Sequence, residues 1–108
     1  MADLFLNKKV DLTTTDNTSL YTVPAETIAV VRSILVSNDD TSNACEITIT
    51  LLNTDDTVFS LFKQKDVASK ATNELLTNAL VLNEDEALWV QAENAGDLHV
   101  VMSAMEIS

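Results

Sequence analysis

Apolar and polar side chains alternate with a period of two along most of this chain. Successive side chains of a β-strand point to opposite faces, so each alternating run predicts a strand with one buried face. About eight such runs occur, at residues 10–12, 20–23, 28–37, 46–51, 58–62, 80–82, 88–93 and 98–107. So many short strands in 108 residues predict an all-β fold, an antiparallel β-sandwich of jelly-roll-like form.

The connecting segments are rich in Asn and Asp, and Gly96 is the only glycine. We therefore expect Asn and Asp to occupy the turn positions that need a left-handed backbone. Residues 66–73 are expected to form a loop with at most one short helical turn, because their apolar stripe is thin. No linker or repeat interrupts residues 1–108, which predicts a single β-sandwich domain, and residues 1–7 could form an extended N-terminal arm.

The charge balance disfavours several partners. Six Lys and Arg against 17 Asp and Glu give a net charge of −11, which repels phosphate backbones and argues against nucleic-acid binding. No apolar run approaches the roughly 20 residues of a membrane span, so no membrane partner is predicted. The first residues lack the apolar core of a signal peptide. Acidity for solubility is the simpler interpretation, and a basic protein partner is the alternative.

The chain offers little material for catalysis. His99 is the only histidine and Cys45 the only cysteine, so neither a Cys–His pair nor a tetrahedral metal site follows from the spacing. We predict no enzyme activity, no catalytic residue and no cofactor. Acidic pairs or triplets in three predicted loops, at residues 39–40, 55–56 and 84–86, could hold Ca²⁺ if the loops met. Solvated turn acids are the simpler interpretation, and a calcium- or carbohydrate-binding module is the alternative hypothesis.

Several apolar or aromatic side chains are candidates for an interface with another protein. By alternation, Trp89 lies on the face opposite Leu88 and Val90, and His99 points towards solvent or an interface. The segments at the two ends of the chain could add strands across a subunit boundary. The predicted interface residues are Leu4, Phe5, Leu6, Trp89, His99, Met105 and Ile107. Burial of these side chains in the sandwich core is the alternative.

Three phrases of the sequence resemble a known class of protein. Leu20-Tyr21-Thr22-Val23-Pro24-Ala25 leads into a long strand-like run that ends in Ser37-Asn38, and residues 80–90 and 100–107 carry the other two phrases. The chain resembles small virion proteins of tailed bacteriophages, although it has Asn and Asp where those proteins often carry Gly.

The resemblance implies a β-sandwich that is a structural part of the phage particle. On this basis we expect a capsid decoration (cement) protein on the virion surface, made in the host cytoplasm and bound to the major capsid protein or another virion protein. A homo-oligomer is expected, with a trimer favoured. A neck, tail or fibre accessory protein is the alternative, and the resemblance brings no catalytic residues.

Overall fold

The computed structural model describes residues 3–108, and every regular element in this range is a β-strand. The strands are β1 Asp3–Asp11, β2 Thr18–Thr22, β3 Ile28–Asn38, β4 Cys45–Leu52, β5 Val58–Val67, β6 Thr72–Glu74, β7 Leu80–Leu82, β8 Ala87–Ala92 and β9 Leu98–Ile107. The described residues contain no helix of the length and apolar character that would carry a chain across a membrane.

The strands form two antiparallel sheets. The five-stranded sheet has the order β1-β9-β3-β6, and β7 also pairs with β3. The four-stranded sheet has the order β2-β8-β4-β5. The chain crosses from one sheet to the other after each of β1, β2 and β3, and its last strand lies between the first and the third. This is the strand order of a jelly roll, so the predicted antiparallel β-sandwich is confirmed.

The core lies between the sheets and follows the predicted alternation. In β4, Ile47 and Ile49 are fully buried, while Thr48 and Thr50 are only partly so. The buried side chains of both sheets form one apolar cluster that includes Ile34, Leu88 and Met102. Each fully buried aliphatic side chain contributes roughly 1.5–3 kcal/mol, so this cluster is the main source of stability.

Two segments needed the structure to define them. Between β5 and β6 the chain forms a turn in which Lys70 has a φ of 61°, and no helical turn is present there. Residues 3–7, which belong to the predicted extended arm, form the first half of β1, which pairs with β9 from Asp3 opposite Ile107 to Asp11 opposite His99. Residues 1–2, the rest of the predicted arm, lie outside the described residues.

Candidate interaction face

The outer face of the five-stranded sheet carries a row of apolar side chains from four adjacent strands. Phe5 of β1 lies opposite Met105 of β9, Met105 lies opposite Val30 of β3, and Val30 lies opposite Val81 of β7. We call these four residues the apolar row. Strands lie about 4.8 Å apart, so the row extends about 14 Å across the sheet.

The apolar row faces away from the core. Its neighbours along the strands, Ala29 and Ala104, are buried, so alternation directs the side chains of the row outwards. Phe5 is 75% exposed and Val81 is 56% exposed, which is high for side chains of their size. Ile28, 46% exposed, pairs with Ile107 and extends the apolar surface beyond the row. The patch is therefore continuous and solvent-facing.

A polar belt bounds the apolar row on its other side. Ser33 pairs with Ser103, and Ser103 also pairs with Asn7. Arg32 lies at the register shift of β3 and shares a shallow depression of about 410 Å³ with Phe5. The side chain of Arg32 is exposed, and its guanidinium is the cationic group of this belt.

The structure brings together some of the predicted interface residues. Phe5, Met105 and Ile107 lie in or beside the apolar row. His99 lies on the same face near its far end, where its Nε2 is 3.3 Å from Oδ1 of Asp11. Both side chains of this pair are exposed, and exposed pairs stabilise a fold by at most about 1 kcal/mol.

The other predicted residues lie elsewhere. Leu6 lies opposite the buried Ala104 and packs against the core, and Leu4 lies opposite Glu106. Trp89 lies on the outer face of the four-stranded sheet, because its neighbours Leu88 and Val90 are fully buried. These three residues therefore do not join the apolar row.

Four exposed members of this face were not among the predicted residues: Ile28, Leu35, Val81 and Val101. A signal for two of them was present in the sequence, because the run at residues 28–36 is apolar on most of both faces. A run of this kind is typical of a central strand, and β3 does lie between β9 and β6. Such a run also places apolar side chains on the outer face, which leaves Ile28 and Leu35 exposed.

The strand that supports the row is anchored from inside the sandwich. The hydroxyl of Tyr21 in β2 donates a hydrogen bond of 2.5 Å to Oε2 of Glu106, which lies between Met105 and Ile107 in β9. Burial, together with this carboxylate, raises the pKa of Tyr21 well above its ordinary value. The phenol stays protonated and joins the two sheets directly behind the apolar row.

The acidic loops do not gather at one place. Residues 53–57 and 83–86 flank the paired ends Leu52 and Ala87, whereas residues 39–44 precede Cys45 at the opposite end of β4. Within residues 3–108 no group of three or more His, Cys, Asp or Glu side chains is arranged to hold a metal ion.

Several of these acids form hydrogen bonds within their own loops. Oδ1 of Asp40 accepts hydrogen bonds from the backbone N–H groups of Ser42 and Asn43, which lower the pKa of Asp40. Asp55 does the same with Thr57, and the pKa of Asp55 is likewise lowered. Turn formation is thus sufficient to explain these two acids.

The observations define an all-β jelly-roll sandwich with an exposed apolar face. No protein-family model matches the chain, and no curated protein matches it in sequence. Among solved structures, the chain is similar to one described as "Structure of infectious bursal disease virus Gt strain", with 13% identity and a TM-score of 0.45. The match covers 99% of this chain and 31% of that one.

Proposed function

We propose that this chain is a non-enzymatic structural protein of a tailed-phage particle, where it binds the capsid surface as a decoration (cement) protein. The apolar row is the observation that carries this proposal. The resemblance of residues 20–38, 80–90 and 100–107 to small virion proteins is the reason for proposing a phage particle as its location. The partner is the major capsid protein or another virion protein, and the chain acts as a homo-oligomer, with a trimer favoured.

The geometry of the row suits protein–protein contact. Aromatic and aliphatic side chains at the centre of a patch, bounded by polar groups, are typical of protein interfaces. Phe5, Met105, Val30 and Val81 are held in register by backbone pairing, so little conformational freedom is lost when a partner covers them. Burial of Phe5 and Val81 alone would contribute about 3–5 kcal/mol before the cost of association.

The charge of the polar belt indicates what kind of partner surface would fit this face. The chain carries −11 overall, yet the polar belt beside the row consists of Asn7, Ser33, Ser103 and the cationic Arg32, and among the described residues the one carboxylate bonded to it is that of Glu74, which accepts from Ser33. A capsid surface that presents a carboxylate next to an apolar contact would match this arrangement. Each contact is small, and its repetition over many capsid subunits makes the attachment strong.

The first test measures copy number on particles. Particles purified from cells that encode this chain are quantified by mass spectrometry against their major capsid protein. A fixed, high copy number supports decoration. A copy number equal to that of a tail or neck component would replace decoration with the neck, tail or fibre role, and absence of the chain from particles would overturn the proposal.

The second test uses matched variants. Val81→Asp places a charge in the apolar row, and Val58→Asp places one on the outer face of the other sheet at nearly equal exposure, 58% against 56%. Val81→Asp is expected to abolish binding to particles stripped of this protein, whereas Val58→Asp should bind like the parent. Equal binding by both variants would rule out the apolar row as the attachment face.

A further inference from the structure

The outer face of the four-stranded sheet carries a groove built around the only tryptophan of the chain. Trp89 in β8 lies opposite Thr50 in β4, and their neighbours Leu88, Val90 and Ile49 are fully buried beneath the sheet. The groove has a volume of about 270 Å³. It lies on the opposite side of the sandwich from the apolar row and is independent of the proposed capsid contact.

The side chains around the indole are polar and uncharged. Asn17, Thr48, Thr50 and Gln91 contribute amide and hydroxyl groups, and Leu52 and Val58 close the groove with apolar surface. No Asp, Glu, Lys or Arg of the described residues lines it, although 21% of the chain is charged. A ligand that fits this lining is uncharged, has an apolar face, and carries hydroxyl groups at its edges.

Trp89 holds a feature that packing alone does not explain. Its Nε1 is buried and, among the described residues, has no hydrogen-bond partner. A buried donor without a partner costs about 1–3 kcal/mol. The Trp89 side chain as a whole is only partly buried, so part of its surface is available in the groove.

The groove continues along the strands into a second depression of about 340 Å³. Thr48 and Gln91 line both depressions, and Glu46 and Glu93 line the second one alone. Two residues of a strand advance about 6.8 Å, so the distance from Leu52 to Glu46 along β4 is about 20 Å. This length accommodates several linked rings rather than a single small molecule.

We propose that this groove binds a neutral oligosaccharide, with one sugar ring stacked on Trp89 and the adjacent rings hydrogen-bonded along β4 and β8. Sugar rings combine an apolar C–H face with hydroxyl edges, which is the chemistry that the lining presents. The amide nitrogen of Gln91 donates to the carbonyl of Thr15 at 2.9 Å, which orients its amide oxygen as an acceptor for a sugar hydroxyl. The carboxylates of Glu46 and Glu93 accept further hydroxyl hydrogen bonds and repel acidic sugars.

Fluorescence reports directly on this groove, because Trp89 is the only tryptophan. The purified full chain is titrated with three neutral hexasaccharides, maltohexaose, cellohexaose and a β-1,4-galactan hexamer, and with a hexamer of galacturonic acid. A saturable change in Trp89 emission is expected with at least one neutral probe. At low ionic strength the acidic hexamer should bind about tenfold more weakly or not at all, because the protein is strongly negative.

Variants separate a sugar site from a general change in the protein. Trp89→Ala should abolish binding measured by calorimetry, and Gln91→Ala, at an exposed position, should weaken it about two- to tenfold through one lost hydrogen bond. Phe5→Ser, on the opposite sheet, should bind as the parent does. Circular dichroism confirms that each variant is folded, and Gln91→Ala keeps the test valid if Trp89→Ala does not fold.

Two outcomes would overturn the proposal. One is the absence of a saturable response to all three neutral probes. The other is sugar binding that Trp89→Ala and Gln91→Ala both leave unchanged, which would place the sugar outside this groove. Neither outcome bears on particle attachment through the apolar row, so the two proposals fail separately.

Discussion

Asn38 is the buried polar side chain whose removal tests the energetics of the fold most sharply. It is the last residue of β3 and only 2% exposed. Its Nδ2 donates to the carbonyl oxygens of Asn43 at 3.0 Å and Val67 at 2.9 Å, and its Oδ1 accepts from the N–H of Asp40 at 2.9 Å. One amide thus joins the end of β3 to the following loop and to β5.

Asn38→Ala is expected to lower the free energy of unfolding by about 3–5 kcal/mol. Three lost hydrogen bonds contribute about 1 kcal/mol each, and the carbonyl of Val67, left buried without a donor, adds up to about 2 kcal/mol. For a domain of this size, 3 kcal/mol corresponds to a loss of about 12 °C or more in Tm. Urea unfolding followed by Trp89 fluorescence measures the change.

Controls make the prediction specific. Ala at the exposed Asn78 should change stability by less than about 0.5 kcal/mol. Asn38→Asp keeps an acceptor for the N–H of Asp40 but places a carboxylate oxygen against the carbonyl oxygens of Asn43 and Val67. At neutral pH this variant should be at least as destabilised as Asn38→Ala. In acid, where the carboxyl group is protonated and can donate, it should be less destabilised. If Asn38→Ala costs under about 1 kcal/mol, this network does not hold the loop.

Three further predictions concern titratable groups. Burial and the Glu106 carboxylate raise the pKa of Tyr21 above its ordinary value of 10.0. The free energy of unfolding should therefore fall above about pH 10, because the unfolded chain loses the phenol proton before the folded protein does. Urea unfolding of Tyr21→Phe should not show this fall. Burial would raise the pKa of Glu74, but hydrogen bonds from Ser33 and two backbone N–H groups lower it below 4.5. Stability should hence fall as the pH drops below about 4.5, and Glu74→Gln should flatten that part of the urea-midpoint profile. Cys45 is buried, and burial raises the pKa of its thiol. A thiol reagent should therefore label Cys45 rapidly only when the protein is unfolded in urea. Rapid labelling of the folded protein would contradict the burial of this side chain.

The fold was largely predictable because alternation survives wherever a strand is half buried and regular. It fails at β5, whose pairing with β4 shifts register near Ile49 and whose Gln64 has a φ of 52°. A bulge of this kind moves the following side chains to the other face and interrupts the alternation. The predicted run therefore stops at residue 62, whereas β5 extends to Val67. Asp56 and Asp85 have the left-handed backbone expected of Asp, but Glu26, Gln64 and Lys70 adopt it without any sequence signal.

The candidate site was predictable only in part, because alternation gives the face of a side chain and not its neighbour on the next strand. Phe5 and Met105 were identified as exposed apolar residues near the two ends of the chain. Their alignment with Val30 and Val81 depends on the pairing register, which shifts between Val31 and Ser33. Asn38 lies at the end of the predicted run, and its burial could not be read from alternation, because it depends on three backbone groups that its amide satisfies.

Pairing of Asp3 with Ile107 also has a practical consequence for anyone who handles this protein. Any polypeptide attached before Asp3 or after Ile107 leaves the sandwich at the same spot, immediately beside Phe5 and Met105. Purification tags or fluorescent fusions at either end would therefore shield the attachment surface and mimic a loss of affinity. Labels are better inserted at the tip of the loop at residues 53–57, on the other sheet, and a short peptide that joins the two ends should yield a permuted chain with new termini there.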